Sequence, residues 1–449
     1  MYLDRCDFSL RLVLLSDLHI GDGDTALLSE LRPRARTDKG DPSVATVARD
    51  GTGLPYIPST SLKGAVRNLV EDEALAQLLF GASPDRNGEG GSGGRLILWQ
   101  ARMDRRSLPE SLDLPHWDGA KATFINAHAR IDRDSGAAER GRLFSREYVP
   151  RGTAFQLDAC WLGALEEFET RVLPLFAEIR SPRGFAVGAN SGAGYGRARL
   201  DDEQVTVAGK SLRIDPGTRI PEVKEVQETF PLPLPVPREH FEVQIHCEGP
   251  FLIADPVRAQ GTSVESDILA LRRSPTMPEL LGTSLTGYLR FRSGWLEQVR
   301  FGGPADDPDV KYVAGRTLLT RTQRLFGIVG WAGLLRIVDI ELATVPGPER
   351  AYPGIQLDDF TQAAIFGALF HVRAPADVGF NVILELGDFR RRPTGEDRQL
   401  LEALLADLAT YGLKLGHSEG AGFGWFKLSG QTFSPHSPAF IKRGGSAHG

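Results

Sequence analysis

Residues 54–70 read LPYIPSTSLKGAVRNLV, and residues 277–296 read MPELLGTSLTGYLRFRSGWL. Each stretch runs from a short proline-containing piece into Ser-Leu-x-Gly and then a helical stripe. In the first, Leu62, Ala65, Val66 and Leu69 fall at helical spacing, and Ser61 is the expected N-cap. In the second, Leu285, Tyr288, Leu289 and Leu296 form a similar stripe. Working outward, the flanking sequence is also written twice. FSLRLVLLSDLHIG (8–21) pairs with HFEVQIHCEGPFLIAD (240–255), and LLFG (78–81) with RLFG (324–327). GGRLILWQARM (93–103) pairs with AGLLRIVDIEL (332–342), and RIDRDSGAAERGRLF (130–144) with QLDDFTQAAIFGALF (356–370). ANSGAGYGRARL (189–200) pairs with HSEGAGFGWFKL (417–428). Six blocks recur in one order at offsets of roughly 220 to 250 residues. Chance does not preserve such an order, so the chain is an internal duplication. The expected boundaries are a first domain over 1–230, a stiff proline-rich linker PLPLPVP over 231–237, a second domain over 238–433 and a flexible tail over 434–449.

Each copy opens with an alternating strand, followed by a long polar loop and a helix. Later runs alternate again, a second helix fits 162–178 and 396–412, and a glycine loop leads into a last short strand. The order βαββαβ reads as an α+β, ferredoxin-like (RRM-like) unit, one per copy.

Composition narrows the function classes. The chain has 449 residues, a net charge of −6, 41% apolar and 24% charged residues, as in an ordinary soluble protein. Mild acidity argues against nonspecific coating of nucleic acid but permits a local groove. Residues 121–151, with seven basic and four acidic side chains plus His128, are the most basic region of that size. Cys6, Cys160 and Cys247 are far apart and form no CxxC, so a disulfide scaffold and structural zinc are not expected. With no long apolar run and no leader-like start, the expected location is the cytoplasm, away from membranes.

The recurring motifs resemble the RAMP superfamily of CRISPR proteins, above all the backbone subunit of type III effector complexes. The resemblance rests on LHIG (18–21), Arg49-Asp50, LPYIP (54–58), SLKG (61–64) with Arg67, LFG (79–81), GRLI (94–97), the Asn-to-Ile-Asp-Arg segment 126–137 and the GAGYG loop (192–196). The second half matches more loosely: Thr286 replaces the family lysine and the Ile-Asp-Arg piece becomes QLDD. The resemblance implies a guide-RNA-binding subunit with a ferredoxin-like core and a "thumb" hairpin in each domain. It also implies cleavage of complementary target RNA, with Mg²⁺ or Mn²⁺, at an aspartate in the loop after the first strand. Two copies in one chain look like the fused subunits of types III-D and III-E. The implied partners are guide CRISPR RNA, target RNA, a large polymerase-like subunit, a small subunit and further RAMP subunits. Two alternatives stay open within the superfamily: a non-catalytic guide-binding subunit and a stand-alone guide-processing endonuclease.

Residue by residue, Ser59, Ser61, Lys63 and Arg67 cluster at a helix start, where free N–H groups suit a phosphate. Ser284, Thr286 and Arg290 are their counterparts. Gly192, Gly194, Tyr195, Gly196 and Arg197, with Gly420, Gly422, Phe423 and Gly424, form loops that permit close backbone approach to RNA. His19 ends the first strand as a structural or RNA-contacting residue. In the first thumb, Arg130, Arg133, Arg140 and Arg142 are placed to hold phosphates, and Ile131 or Phe144 to wedge a base. In the second, Phe360, Phe366 and Phe370 outnumber the charges, which favours packing on protein. Counting back from SLKG puts the family aspartate near Val44, so Asp41 is the first catalytic and metal candidate and Asp38 the next; the same count in the second half gives Asp267. Asp306 and Asp307 read as a solvated turn.

Overall fold

The computed structural model describes residues 4–33, 41–84, 90–131, 138–214, 221–234, 240–254, 268–274, 277–307, 309–358, 360–387, 391–417 and 419–433. The described residues form two compact units, one within 4–191 and 195–234 and the other within 192–194, 240–387 and 391–433.

In the first unit the strand Arg5–Leu14 alternates cleanly, burying Cys6, Phe8, Leu10, Leu12 and Leu14 and exposing Arg5, Ser9 and Arg11. It lies between Ala154–Leu162 and Arg197–Leu200; Ala154–Leu162 in turn pairs with Leu96–Leu98 and Ala101–Asp104. All these pairings are antiparallel, and in chain order the core strands run 4-1-3-2 across the sheet. Helices Ser59–Arg67 and Glu73–Phe80 follow the first strand, and Leu165–Arg171 and Leu173–Ile179 follow the third. Phe8 meets Phe168 and Phe176 edge-on, at 5.2 and 5.8 Å, which fixes the helical layer on the apolar face. This is the expected βαββαβ unit.

Two local expectations change. The helix expected over 162–178 is broken after Arg171, because Pro174 in the next first turn has no N–H to continue the ladder. A long hairpin, Gln204–Ile214 with Pro221–Pro231, extends the sheet from the edge of the first strand. Leu232 is buried, and Arg180 Nη1 donates to the carbonyls of Leu232 and Pro233. Residues 231–233 therefore finish the first unit; 235–237 lie outside the described residues, as does the tail 434–449.

The second unit repeats the plan. Strands Phe241–Pro250, Leu335–Thr344, Ala376–Leu386 and Trp425–Phe433 again run 4-1-3-2. Helices Gly282–Phe301, Arg321–Phe326 and Gly395–Tyr411 belong to this unit, and Leu285, Leu289, Leu401 and Leu404 close the core with Ile245, Val382 and Phe426.

Each unit carries a hairpin between its second and third core strands: Phe124–Ile131 with Ala138–Tyr148, and Arg350–Leu357 with Ala364–Ala374. Each hairpin is braced by a strand from the loop after the first core strand. Ser43–Val47 runs parallel to the returning arm in the first unit, and Ile268–Leu269 does so in the second.

Candidate nucleic-acid interface

The helix Ser59–Arg67 starts after Pro58, which offers no side-chain cap. Ser61 thus sits in the first turn and is not the N-cap. The uncapped first-turn amides leave the positive end of the helix open to an anion. Lys63 is exposed and has no hydrogen bond or ion pair among the described residues. Arg67 is otherwise engaged. Its Nη1 donates to the carbonyls of Ala76 (3.1 Å) and Gly81 (2.7 Å), and its Nη2 pairs with Glu73 at 2.7 Å. In the second unit Gly282–Phe301 is also uncapped, and Ser284 lies in its first turn. Arg290 repeats the role of Arg67: Nη1 donates to Gly327 O at 2.7 Å. Its other nitrogens grip both oxygens of Asp306, whose side chain is 2% exposed. Both arginines close the Leu-Phe-Gly turn, so neither is a free phosphate ligand. Asp306 is a buried partner and not part of a solvated turn. Thr286 brings no cation, and its buried Oγ1 has no hydrogen-bond partner among the described residues.

The glycine loops serve their own backbone. Gly194 and Gly196 have φ of 87° and 67°, Gly422 and Gly424 of 83° and 63°. A Cβ on Gly196 would strike the Val187 carbonyl oxygen, and one on Gly424 the Leu415 carbonyl oxygen. Gly192 and Gly420 precede these pairs in the two loops, and Gly420 is exposed. The aromatic residue between the glycines is buried in both copies. Tyr195 packs on Tyr148 at 5.2 Å and Phe423 on Tyr352 at 5.3 Å, so each clamps its loop to the base of a hairpin. Arg197 is 3% exposed and does not reach outward. His19 is equally buried, with Nδ1 2.8 Å from Glu147 O, and burial lowers its pKa. The side chains of Tyr195, Phe423, Arg197 and His19 therefore shape the loops from inside and are turned away from solvent.

The first hairpin does present groups. Phe144 is 43% exposed, with His128 stacked against it at 5.4 Å and the Arg146 guanidinium 5.2 Å from its ring centre. An aromatic face beside a cation suits a base next to its phosphate. Beneath, His128 Nε2 lies 2.8 Å from the Tyr148 hydroxyl, and burial pushes the His128 pKa down to about 4. Arg130 is 44% exposed and pairs with Glu139 at 3.0 Å. Arg133 lies outside the described residues, as do the side chains of Ile131, Arg140 and Arg142.

Sequence reasoning missed the anchor of this hairpin. Glu147 is fully buried and accepts from Arg49 Nη2 (3.0 Å), Thr123 Oγ1 (2.9 Å) and the Val47 amide (3.3 Å). Buried Arg32 adds a contact at 3.6 Å. Together they tie the first loop to the hairpin. The Arg49-Asp50 motif was the available signal: Arg49 also holds the Gly53 and Lys121 carbonyls, while Asp50 caps the turn at Thr52.

Among the candidate carboxylates, Asp41 is exposed, and its oxygens accept from the amide (2.9 Å) and hydroxyl of Ser29. It stands two residues before Ser43–Val47. Asp38 and Asp267 lie outside the described residues; in sequence Asp267 immediately precedes Ile268–Leu269. Both counted aspartates therefore come just before the strand that runs parallel to the hairpin. Among the described residues no three His, Cys, Asp or Glu groups gather into a metal site. Asp41 supplies one carboxylate, so a cation there would need phosphates and waters to complete its shell. A cleft of about 800 Å³ opens on the outer sheet face of the first unit beside Ser59, Trp99 and Arg102. Its cations are already neutralised, Arg5 by Asp7 and Arg102 by Asp158, which leaves little to attract RNA.

The repeated core, the paired hairpins and the glycine loops define a class of protein, and comparison with known families agrees. The RAMP superfamily profile matches residues 11–199 and 244–427, one match in each copy, and the chain belongs to that superfamily. Its members are typically CRISPR-associated RNA-binding proteins that act within multi-subunit complexes. A search of curated proteins finds no match. No helix among the described residues is long and apolar enough to cross a membrane.

Proposed function

We propose that this chain is a double backbone subunit of a type III CRISPR ribonucleoprotein. The guide RNA lies on the open helix start at Ser59, Ser61 and Lys63 and against the first hairpin. The observation that carries this reading is the repeated hairpin, inserted at the same point of each core and clamped by the aromatic residue of each glycine loop. A core and hairpin written twice in one chain suit a subunit that stands in for two backbone subunits, with the first hairpin meeting RNA.

Target cleavage is the second part of the proposal, favoured by the shared position of Asp41 and Asp267 in the two copies. A divalent cation there would stabilise charge on the scissile phosphate. Asp41 would first release Ser29.

The test is co-purification with neighbouring subunits, sequencing of bound RNA, and incubation with complementary RNA and Mg²⁺. Short guide-length RNA and regularly spaced, EDTA-sensitive cuts are expected. Asp41→Ala and Asp267→Ala should each remove one cut and leave assembly intact. Lys63→Glu should weaken guide binding about tenfold and lower the salt slope. Bound guides without cuts leave a scaffold; no bound RNA overturns both parts.

A further inference from the structure

The second hairpin is chemically unlike the first. At its tip Asp358 accepts from the amides of Phe360 (3.1 Å) and Thr361 (2.7 Å) and from the Thr361 hydroxyl (2.9 Å). The turn is closed by Asp358 N–H to Ala363 O and Gln362 N–H to Asp358 O, both at 2.8 Å. This holds Phe360 outward at 99% exposure. Below it Ile355 (52%), Leu357 (45%), Ile365 (40%) and Leu369 (60%) are also open to solvent, and Ile355 and Leu369 face each other across the ladder. The root is already satisfied by a small core of Leu252, Ala270, Val372, Ala374 and Phe423. The exposed part is therefore not an unfinished piece of the fold.

Charge decides what covers it. Residues 351–372 contain Asp358 and Asp359 and no Lys or Arg, a balance of −2, whereas residues 124–148 of the first hairpin contain five Arg and four acidic residues, a balance of +1. Arg350 and Arg373 stand at the root of the second hairpin, and beyond them a phosphate backbone would meet no Lys or Arg and two carboxylates. Five exposed apolar side chains on a pre-ordered support are what a protein interface core requires.

We propose that the second hairpin is a protein-docking element, whose occupant is a groove on a different subunit with an apolar floor and a Lys/Arg rim facing the acidic tip at Asp358. The proposal rests on the reading of this chain as a subunit of a ribonucleoprotein, with RNA held by the first unit.

The test uses the full chain in its assembled complex. Benzoylphenylalanine placed at position 360 should crosslink, on illumination, to a peptide of another protein subunit. A crosslink to RNA overturns the proposal, as does the absence of any crosslink in an intact complex. Phe360→Ser combined with Leu369→Ser should weaken recruitment of that subunit at least tenfold. The same variant should change binding of a synthetic guide RNA by the isolated chain less than twofold. An equal loss in both assays, or unchanged recruitment, counts against docking. Both residues are exposed, so the thermal midpoint should stay put and separate docking from misfolding. Sedimentation of the isolated chain over a concentration series checks the commitment to a different subunit: self-association abolished by the double substitution would make a second copy the occupant and overturn it. If the complex contains no RNA but position 360 crosslinks to protein, the guide-binding reading fails and the docking surface stands.

Discussion

Gly196 and Gly424 show how a motif that reads as a ligand loop acts at the residue scale. Each takes a left-handed φ directly under a carbonyl of its own unit, Val187 or Leu415, so the missing Cβ admits protein backbone. Gly196→Ala and Gly424→Ala should each cost more than about 1 kcal/mol from φ alone, with the clash adding to it. Urea unfolding measures this, and an unchanged midpoint would return these glycines to an RNA-facing role. The neighbouring aromatic residues follow the same logic. Tyr195 and Phe423 were expected at RNA but are buried against the hairpin roots, where their rings join two elements. Lys63, by contrast, is exposed, and nothing among the described residues neutralises its charge.

Between elements, Arg67 and Arg290 each join a core helix to the Leu-Phe-Gly turn that follows. Arg290 goes further by neutralising the buried Asp306 carboxylate. Removing one partner of such a pair leaves an uncompensated buried charge, so Arg290→Met should destabilise the second unit by about 3–5 kcal/mol. Arg290→Met with Asp306→Leu should recover much of that loss. Thermal unfolding of the single and double variants reads this; equal losses in both would mean that the pair is not the cause. The Glu147 node does comparable work between the first loop and the first hairpin. It holds the strand after Asp41 at the hairpin root, and so it fixes how a candidate carboxylate and a candidate base wedge are spaced.

For the molecule as a whole, duplication has produced two similar cores with different surfaces. Each unit has its own buried cluster, of which Leu12, Phe155 and Phe168 belong to the first and Phe251, Val382 and Phe426 to the second. Residues 1–234 and 240–433, expressed separately, should therefore each give a cooperative thermal transition; a featureless melt from either would show that its core depends on the other. The duplication, the βαββαβ order and the hairpin positions were legible in the sequence, because strand alternation, helical spacing and repeated glycines are local patterns that survive in both copies. The extra hairpin at 204–231 was not, since its alternation is weak and has no counterpart among the described residues of the second copy. Which motif residues face outward was not legible either. Arg67, Arg290, Tyr195, Phe423 and His19 carry groups equally suited to RNA or to the interior, and only the elements packed around them decide. Sequence by itself determined the repeat and its chain order, since these follow from periodicity along one strand or helix. Tertiary structure alone decided the division of labour among the conspicuous residues, since a guanidinium or a ring is committed by whichever carbonyl, carboxylate or second ring the fold brings within reach.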